Sequence, residues 1–297
     1  TQPTWRTQGQ LRHILFRYCW SNHTHLVQIN RRGIIMKLNT ITNSDCLKYL
    51  KKLPDNSVDL VLTDPPYFIG FDGGKGWDSQ WKSDREYIQW CIEWTKECVR
   101  VLKDERMLVV WGTLKTEAFL LYKLALNRME GIKPQNEIIW SYNWGGRSKD
   151  NFARKHEYAW CYSTGDKFLF NGDDVRIDRK MNTNIRTGLQ HTKGTIPTCV
   201  WEKNNHTTSK DYIGWHATTK NIDILSRIIK AYTNVNDVVL DCFMGSGSTA
   251  VASIRTGRNF IGCERDKEYY TKAKKRICDS QKSDTKNLSK ASLASIL

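Results

Sequence analysis

The chain has 297 residues, 39% hydrophobic and 26% charged, enough to bury one full α/β core or two smaller ones. It contains no run of about 18 apolar residues, so an apolar membrane-crossing helix is not expected. With 46 Lys and Arg against 31 Asp and Glu the net charge is +15, which suits a polyanionic partner, nucleic acid first, although a generally basic protein with no specific partner gives the same sum.

Residues 1–35 hold Arg6, Arg12, Arg17, Arg31 and Arg32 and no acid. His and Arg interrupt the apolar residues there, so no secretion signal is expected, and the stretch reads as an N-terminal extension outside the core. From Met36 strand and helix alternate. "LNTIT" (38–42) predicts a short strand, and "DCLKYLKKL" (45–53) sets Leu47, Leu50 and Leu53 on one helical face before Pro54 stops it. "VDLVLT" (58–63) reads as a strand buried on both faces. A long amphipathic helix (84–102), a buried strand (106–112), a helix (about 113–130) and a strand (137–143) follow.

Between about 145 and 215 the alternation breaks down into a segment rich in Asn, Gly, Thr, Lys and Arg, with strand-like pieces such as "EYAWCYS" (157–163). Order resumes with a helix (221–233), a strand (238–242), a glycine loop, a helix to about Arg255, a strand (260–264) and a helix from Asp266 to about Cys278. The Ser/Lys-rich tail, 280–297, is expected to be flexible. Repeated βα units predict a doubly wound, mostly parallel sheet with its ligands at the carboxyl ends of the strands. The units are then a half before the irregular segment (36–144), that segment (145–215), and a half after it (216–279). Nine cysteines without a C-x-x-C pair suggest reduced thiols of a cytosolic or nuclear-type compartment. Seven histidines without ligand spacing suggest no metal.

Two strand tips carry chemistry. "VVLDCFMGSGSTAVA" (238–252) is a strand, a glycine turn and a helix start, where Gly245 and Gly247 let a ligand approach the backbone. Glu264 ends the next strand, where an acid can accept both ribose hydroxyls of an adenosine. The loose G-x-G-x-x-A spacing also allows a nicotinamide dinucleotide, and a ligand-free turn is the plainer alternative. The other tip is "DPPY" (64–67), where proline ends the strand at Asp64. The exocyclic amine of a nucleobase is a poor nucleophile because its lone pair is delocalised. The Asp64 carboxylate and the Pro65 carbonyl, held rigid by Pro66, can each accept one N–H and draw that nitrogen toward a tetrahedral shape. Tyr67 offers a stacking face for a base that has left the duplex.

"DPPY" with "DCFMGSG" resembles the amino-methyltransferases that act on DNA bases with S-adenosylmethionine. The motif order resembles their β group, the adenine-N6 enzymes with a Rossmann-like methyltransferase fold of permuted motif order. The likeness runs from about Met36 to Cys278 and includes "GWDSQW" (76–81), "FARKHEYAWCYS" (152–163) and "GWHATTKNIDIL" (214–225). It implies double-stranded DNA as partner, permits a homodimer, and implies that the enzyme works wherever that DNA is. By the same resemblance Asp64, Pro65, Pro66 and Tyr67 form the catalytic tip. Asp241, Phe243, Gly245, Ser246 and Gly247 form the methionine-side cofactor loop, Glu264 meets the ribose, and Asp45 and Cys46 lie near the cofactor's adenine. Lys220 is matched to the cofactor's carboxylate, within a "HATTK" turn where Ala217 and Asn221 stand in place of the family's prolines.

The segment 145–215 reads as the target-recognition region, with Arg147, Lys149, Arg154, Lys155, Arg176, Arg179 and Lys180 as candidate DNA contacts. Trp77 and Asp78 read as a loop anchor, His156 and Glu157 as structural or base-orienting, and the glycines of "GFDGGKGWD" (70–78) as a loop that closes near the base. Cytosine-N4 methylation is the nearest rival, since such enzymes usually carry Ser where Asp64 stands and the two amines are alike. An RNA adenosine substrate and a catalytically silent DNA-binding subunit stand further off. No Pro-Cys pair occurs, which disfavours cysteine-nucleophile chemistry.

Overall fold

The computed structural model describes residues 14–20, 23–29, 35–70, 74–143, 147–178, 194–203, 211, 213–216 and 218–294, with side chains from Met36 to Ser283. Three strands, β1 (Ile14–Trp20), β2 (His23–Ile29) and β3 (Ile35–Lys37), form a small antiparallel sheet of their own. The rest is one eight-stranded sheet. Its strands are β4 (Thr40–Asn43), β5 (Val58–Thr63), β6 (Leu102–Gly112), β7 (Lys133–Ser141), β8 (His156–Ser163), β9 (Val200–Glu202), β10 (Val238–Asp241) and β11 (Asn259–Glu264). They lie in the order β4-β11-β10-β5-β6-β8-β7-β9. The pairings give every strand but β8 the same direction, so the sheet is mostly parallel as expected.

Helices cover both faces, and the alternation of β5 shows how. Val61 faces the cluster formed with α1 (Cys46–Leu50), α2 (Asp84–Val101) and α3 (Glu117–Leu126). Leu60 and Leu62 face α4 (Ile222–Tyr232) and α5 (Ser248–Arg255) on the other side. Each such leucine, fully buried, contributes about 2 kcal/mol. Helix starts are set locally. Ser83 caps α2, Thr116 caps α3, and Asn221 caps α4 by accepting from the N–H groups of Asp223 and Ile224.

The acid inside β5 that interrupts its apolar run, Asp59, is buried but paired with Lys103 at 2.8 Å and Arg106 at 3.2 Å, and it accepts the N–H of Val238 on β10. It stitches β5 to both neighbours. β10 lies beside β5 in register Leu240 to Val61, so the two chemically marked strand tips are adjacent at the point where the chain order reverses.

The stretch expected to be a flexible tail from residue 280 is helical as far as Ala294, where α6 (Lys267–Ala294) ends. No Gly or Pro interrupts it, and Lys272–Glu268 and Lys275–Asp279 pair along it one turn apart. Within the segment 145–215, β8 belongs to the main sheet. β8 runs antiparallel between β6 and β7, its Ala159, Trp160, Cys161 and Tyr162 are all buried, and the turn at 172–175 packs near α4. The strand-like piece "EYAWCYS" (157–163) is thus a strand of the main sheet.

Candidate active site

The tip expected to be catalytic is built by strand β5 ending at Thr63. The Thr63 hydroxyl donates to Asp241 Oδ1 at 2.7 Å, tying the tip to the end of β10. Asp64, one residue on, is about one-fifth exposed. Its Oδ1 accepts the Tyr67 hydroxyl at 2.6 Å, and its Oδ2 is paired with the Lys220 ammonium. Lys220 is buried and also ion-paired with Glu157 Oε2 at 3.1 Å. Burial alone would lower the Lys220 pKa, but the Asp64 and Glu157 carboxylates outweigh it and hold the ammonium above its ordinary range. Burial, then the same two acids, pushes the Tyr67 phenol well up, so it stays protonated and donates.

The turn after the tip is held open by cost and compensation. Phe68 has φ +55, a left-handed conformation that costs a non-glycine residue roughly 1–2 kcal/mol. The buried Asp78 carboxylate accepts the N–H groups of Phe68 at 2.6 Å and Ile69 at 2.8 Å, two charge-assisted bonds that fix the turn. Asp78 therefore is the anchor expected of it. The Tyr87 hydroxyl donates to the Pro66 carbonyl at 2.7 Å. Among the described residues nothing donates to the Pro65 carbonyl, whose residue lines the cavity.

That cavity holds about 320 Å³ between the two strand tips. Asp45, Cys46, Phe243, Gly245, Ser246 and Glu264 line one part, and Asp64, Pro65, Pro66, Tyr67 and Lys220 the other. Glu264 accepts the N–H of Gly245 at 2.8 Å and of Asp266 at 2.7 Å; burial raises its pKa and these bonds oppose the rise. Gly245 has φ +49, and a side chain there would meet His216 Nε2 at 2.8 Å. The His216 ring lies tilted against Tyr269, centroids 4.6 Å apart, and stays neutral, its pKa lowered to about 4 by burial. Gly247, φ +80, starts α5. Asp241 is pushed up to about 6 by burial, against hydrogen bonds from Thr249, Thr63 and the Phe243 N–H. The Phe243 ring packs against Trp94 at 5.1 Å and Trp90 at 5.5 Å. Asp45 caps α1, and burial pushes the Cys46 thiol up, away from nucleophilic chemistry.

The structure thus brings the expected tip and loop residues to one cavity, except Gly247, which starts α5 against Ile277 and Ala273. Lys220 differs from expectation: its ammonium rests on Asp64 and Glu157. Asn221, in place of a family proline, serves as a helix cap, while Ala217 lies outside the described residues. Of the basic candidates, Arg147, Lys149 and Arg154 are exposed on the loop between β7 and β8, and Lys155 reaches the Asn143 carbonyl at 2.9 Å. Arg176 is paired with Asp173 at 2.7 Å on a separate turn; Arg179 and Lys180 lie outside the described residues. Sequence reading missed Tyr87, His216 and Tyr269. A buried aromatic in a helix gives no hint that its hydroxyl reaches a distant loop. His216 carried a signal, its place at the head of "HATTK". Among the described residues no three His, Cys, Asp or Glu side chains cluster as metal ligands, and no helix is long and apolar enough to cross a membrane.

Residues 58–275 match a protein family described as DNA methylase, the N6/N4 methyltransferases. The Type II methyltransferase M1.MboII of Moraxella bovis is 31% identical over 257 residues, covering 80% of this chain and 96% of that protein. The DNA adenine methyltransferase YhdJ of Escherichia coli (strain K12) is 33% identical over 251 residues, covering 80% of this chain and 82% of that protein. Among solved structures, the PvuII DNA methyltransferase (cytosine-N4-specific) aligns with a TM-score of 0.60 at 19% identity over 82% of this chain and 93% of that one. The M1.HpyAVI–SAM complex aligns with a TM-score of 0.54 at 24% identity over 80% and 98%. These two share the fold. The chain belongs to the N6/N4 DNA methylase family.

Proposed function

We propose that this DNA methylase transfers a methyl group from S-adenosylmethionine to the N6 amine of an adenine flipped out of double-stranded DNA. The observation that carries the reading is the strand-tip carboxylate of Asp64 with the Pro65 carbonyl beside it, opening on the cavity that the glycine loop and Glu264 line. The residues fit the cofactor. A side chain on Gly245 would meet His216 across the loop, so position 245 admits only bare backbone, and Glu264 retains acceptor capacity for ribose hydroxyls. Asp45, Cys46 and Phe243 would border the adenosine, and Gly245, Ser246 and Gly247 the methionine side. The neutral His216 stands against the same loop and adds no charge to it.

When bound, the cofactor supplies a methyl group on a positively charged sulfur. The chain's own residues prepare the amine. Asp64 and Pro65 accept its two N–H bonds and aim its lone pair, and Tyr67 keeps its proton and fixes Asp64. Lys220 has Glu157 as a second carboxylate on which to rest while Asp64 takes the amine. The amine proton leaves through Asp64 or solvent after the methyl has moved. No cysteine thiolate is used, in keeping with the raised pKa of Cys46.

Adenine as the base is supported by the Asp of the tip and by the adenine-specific relative YhdJ. The experiment is product identity. The intact protein is incubated with labelled S-adenosylmethionine and DNA, and the digested nucleosides are analysed by mass spectrometry. N6-methyladenine without N4-methylcytosine is the expected result. Dominant N4-methylcytosine would overturn the choice of base and leave the cofactor and displacement chemistry standing. Label in RNA but not DNA would overturn the substrate.

A further inference from the structure

Phe152 is 96% exposed, whereas the next most exposed large apolar side chain among the described residues, Val235, is 62% exposed. Leaving a phenylalanine in water forgoes about 2–3 kcal/mol of burial, so its position calls for a reason. It sits on the loop between β7 and β8. β5, β6 and β7 all point the same way and β8 returns, so this loop leaves the sheet at the edge that carries Asp64. The stem of the loop is pinned. The Tyr142 N–H donates to the Lys155 carbonyl at 3.0 Å, the Lys155 ammonium to the Asn143 carbonyl at 2.9 Å, and the Arg154 guanidinium to the Leu114 carbonyl beyond β6 at 3.1 Å. Five residues after Phe152, Glu157 touches Lys220, which touches Asp64. The aromatic therefore lies within about 17 Å of chain from Glu157, which reaches Asp64 through Lys220. Arg147, Lys149 and Arg154, exposed cations, lie within five residues of it in the chain.

We infer that Phe152 is the wedge that enters the DNA base stack as the target base leaves it. This rests on the DNA methyltransferase reading above. A rigid apolar ring on a pinned stem, flanked by cations that meet phosphates, matches what a duplex offers at a vacated step: an apolar gap between charged backbones. Extracting a paired base costs a few kcal/mol, and filling the gap recovers part of it. The ring acts on base extraction, so it is a positioning residue and not part of the methyl-transfer machinery.

The test separates base extraction from chemistry. The methylated site is first mapped by sequencing plasmid DNA from cells that express the intact chain. Two duplexes carrying that site are then compared, one fully paired and one abasic opposite the target base, where extraction is already easy. Methyl transfer is followed with labelled S-adenosylmethionine. Phe152→Ala should lose tenfold or more in kcat/KM on the paired duplex and less than threefold on the abasic one, and Phe152→Trp should stay within threefold of the parent on both. Equal losses on both duplexes, or none on either, would overturn the wedge, as would a loss that tracks a change in oligomeric state. If the parent protein methylates no DNA, the methyltransferase reading falls and the wedge falls with it. That outcome is distinct from a parent that methylates and a Phe152→Ala variant indifferent to pairing.

Discussion

The Lys220 ammonium rests on one carboxylate oxygen of Asp64 while the Tyr67 hydroxyl donates to the other. Both oxygens of the strand-tip acid are thus engaged before any base arrives. Lys220 is the partner that can yield, because Glu157 stands 3.1 Å from its nitrogen on the far side. In either arrangement the buried cation keeps a carboxylate partner, so exchange costs one ion pair rather than an unpaired buried charge.

Replacing Asp64 by Ala removes one of two acceptors aimed at the amine. Methyl transfer should fall by about 10²-fold or more, the usual cost of losing one preorganised partner. Cofactor affinity should stay within a few-fold, because the glycine loop and Glu264 lie on a different strand end. Single-turnover rates and a separate cofactor-binding titration check the two halves of this expectation; near-normal turnover would dismiss the role of Asp64.

Lys220→Met removes the cation between two acids and leaves Asp64 and Glu157 facing each other in a partly buried site. Two partly buried acids left without their cation repel each other and misplace the Asp64 carboxylate. Methyl transfer at saturating cofactor should therefore fall by about tenfold or more, measured in single turnover. A variant that loses only cofactor affinity would mean that Lys220 serves the cofactor alone.

Much of this site was legible because its chemistry is local. Asp64 to Tyr67 are contiguous, as are Asp241 to Gly247, and proline or glycine marks where each strand must end. Strand periods then place both tips at one edge of a sheet. What escaped depends on contacts far apart in the chain. Nothing near Lys220 indicates that it meets Asp64, 156 residues away. The burial of β8 was hidden because the polar loops on either side resemble an insertion. The helix beyond residue 280 is not legible because Lys and Ser suggest disorder, while the absence of Gly and Pro lets an established helix continue.

The exposed cations flanking Phe152 predict a steep salt dependence of DNA binding. Each phosphate contact adds about −0.9 to the slope of log affinity against log salt. Changing Arg147, Lys149 and Arg154 together to Gln should flatten the slope by up to three such contacts. Arg176→Gln should change it little, because Arg176 is already paired with Asp173. Binding curves at several salt concentrations decide this, and an unchanged slope in the triple variant would make those charges a solvated face.

His216 gives a pH signature for stability. Burial, with Lys220, Arg276 and Lys75 adding and Asp64 opposing, lowers its pKa to about 4, while an unfolded histidine titrates near 6.5. Between those values the unfolded chain binds the proton and the folded chain does not. The contribution is therefore fully present above pH ~6.5 and is lost as the pH falls toward 4. His216→Asn cannot titrate. The stability of the parent relative to this variant should therefore decline from pH 7 to pH 5 in urea unfolding, and a constant difference would contradict the burial argument.

Gly245 and His216 test the cofactor loop together. A side chain at Gly245 has two separate problems: φ is +49, and its first carbon would lie 2.8 Å from His216 Nε2. The first costs roughly 1–2 kcal/mol and belongs to the backbone alone. The second depends on the imidazole and vanishes if the ring is removed. Gly245→Ala should therefore destabilise the protein by more than the backbone cost and weaken S-adenosylmethionine binding at least tenfold. Adding His216→Ala should recover the clash but not the strain, so the double variant should be more stable than the sum of the two single losses implies. Unfolding free energies of all four proteins complete the cycle. Strict additivity would show that the ring and the loop are independent, and that His216 does not shape the backbone that meets the cofactor.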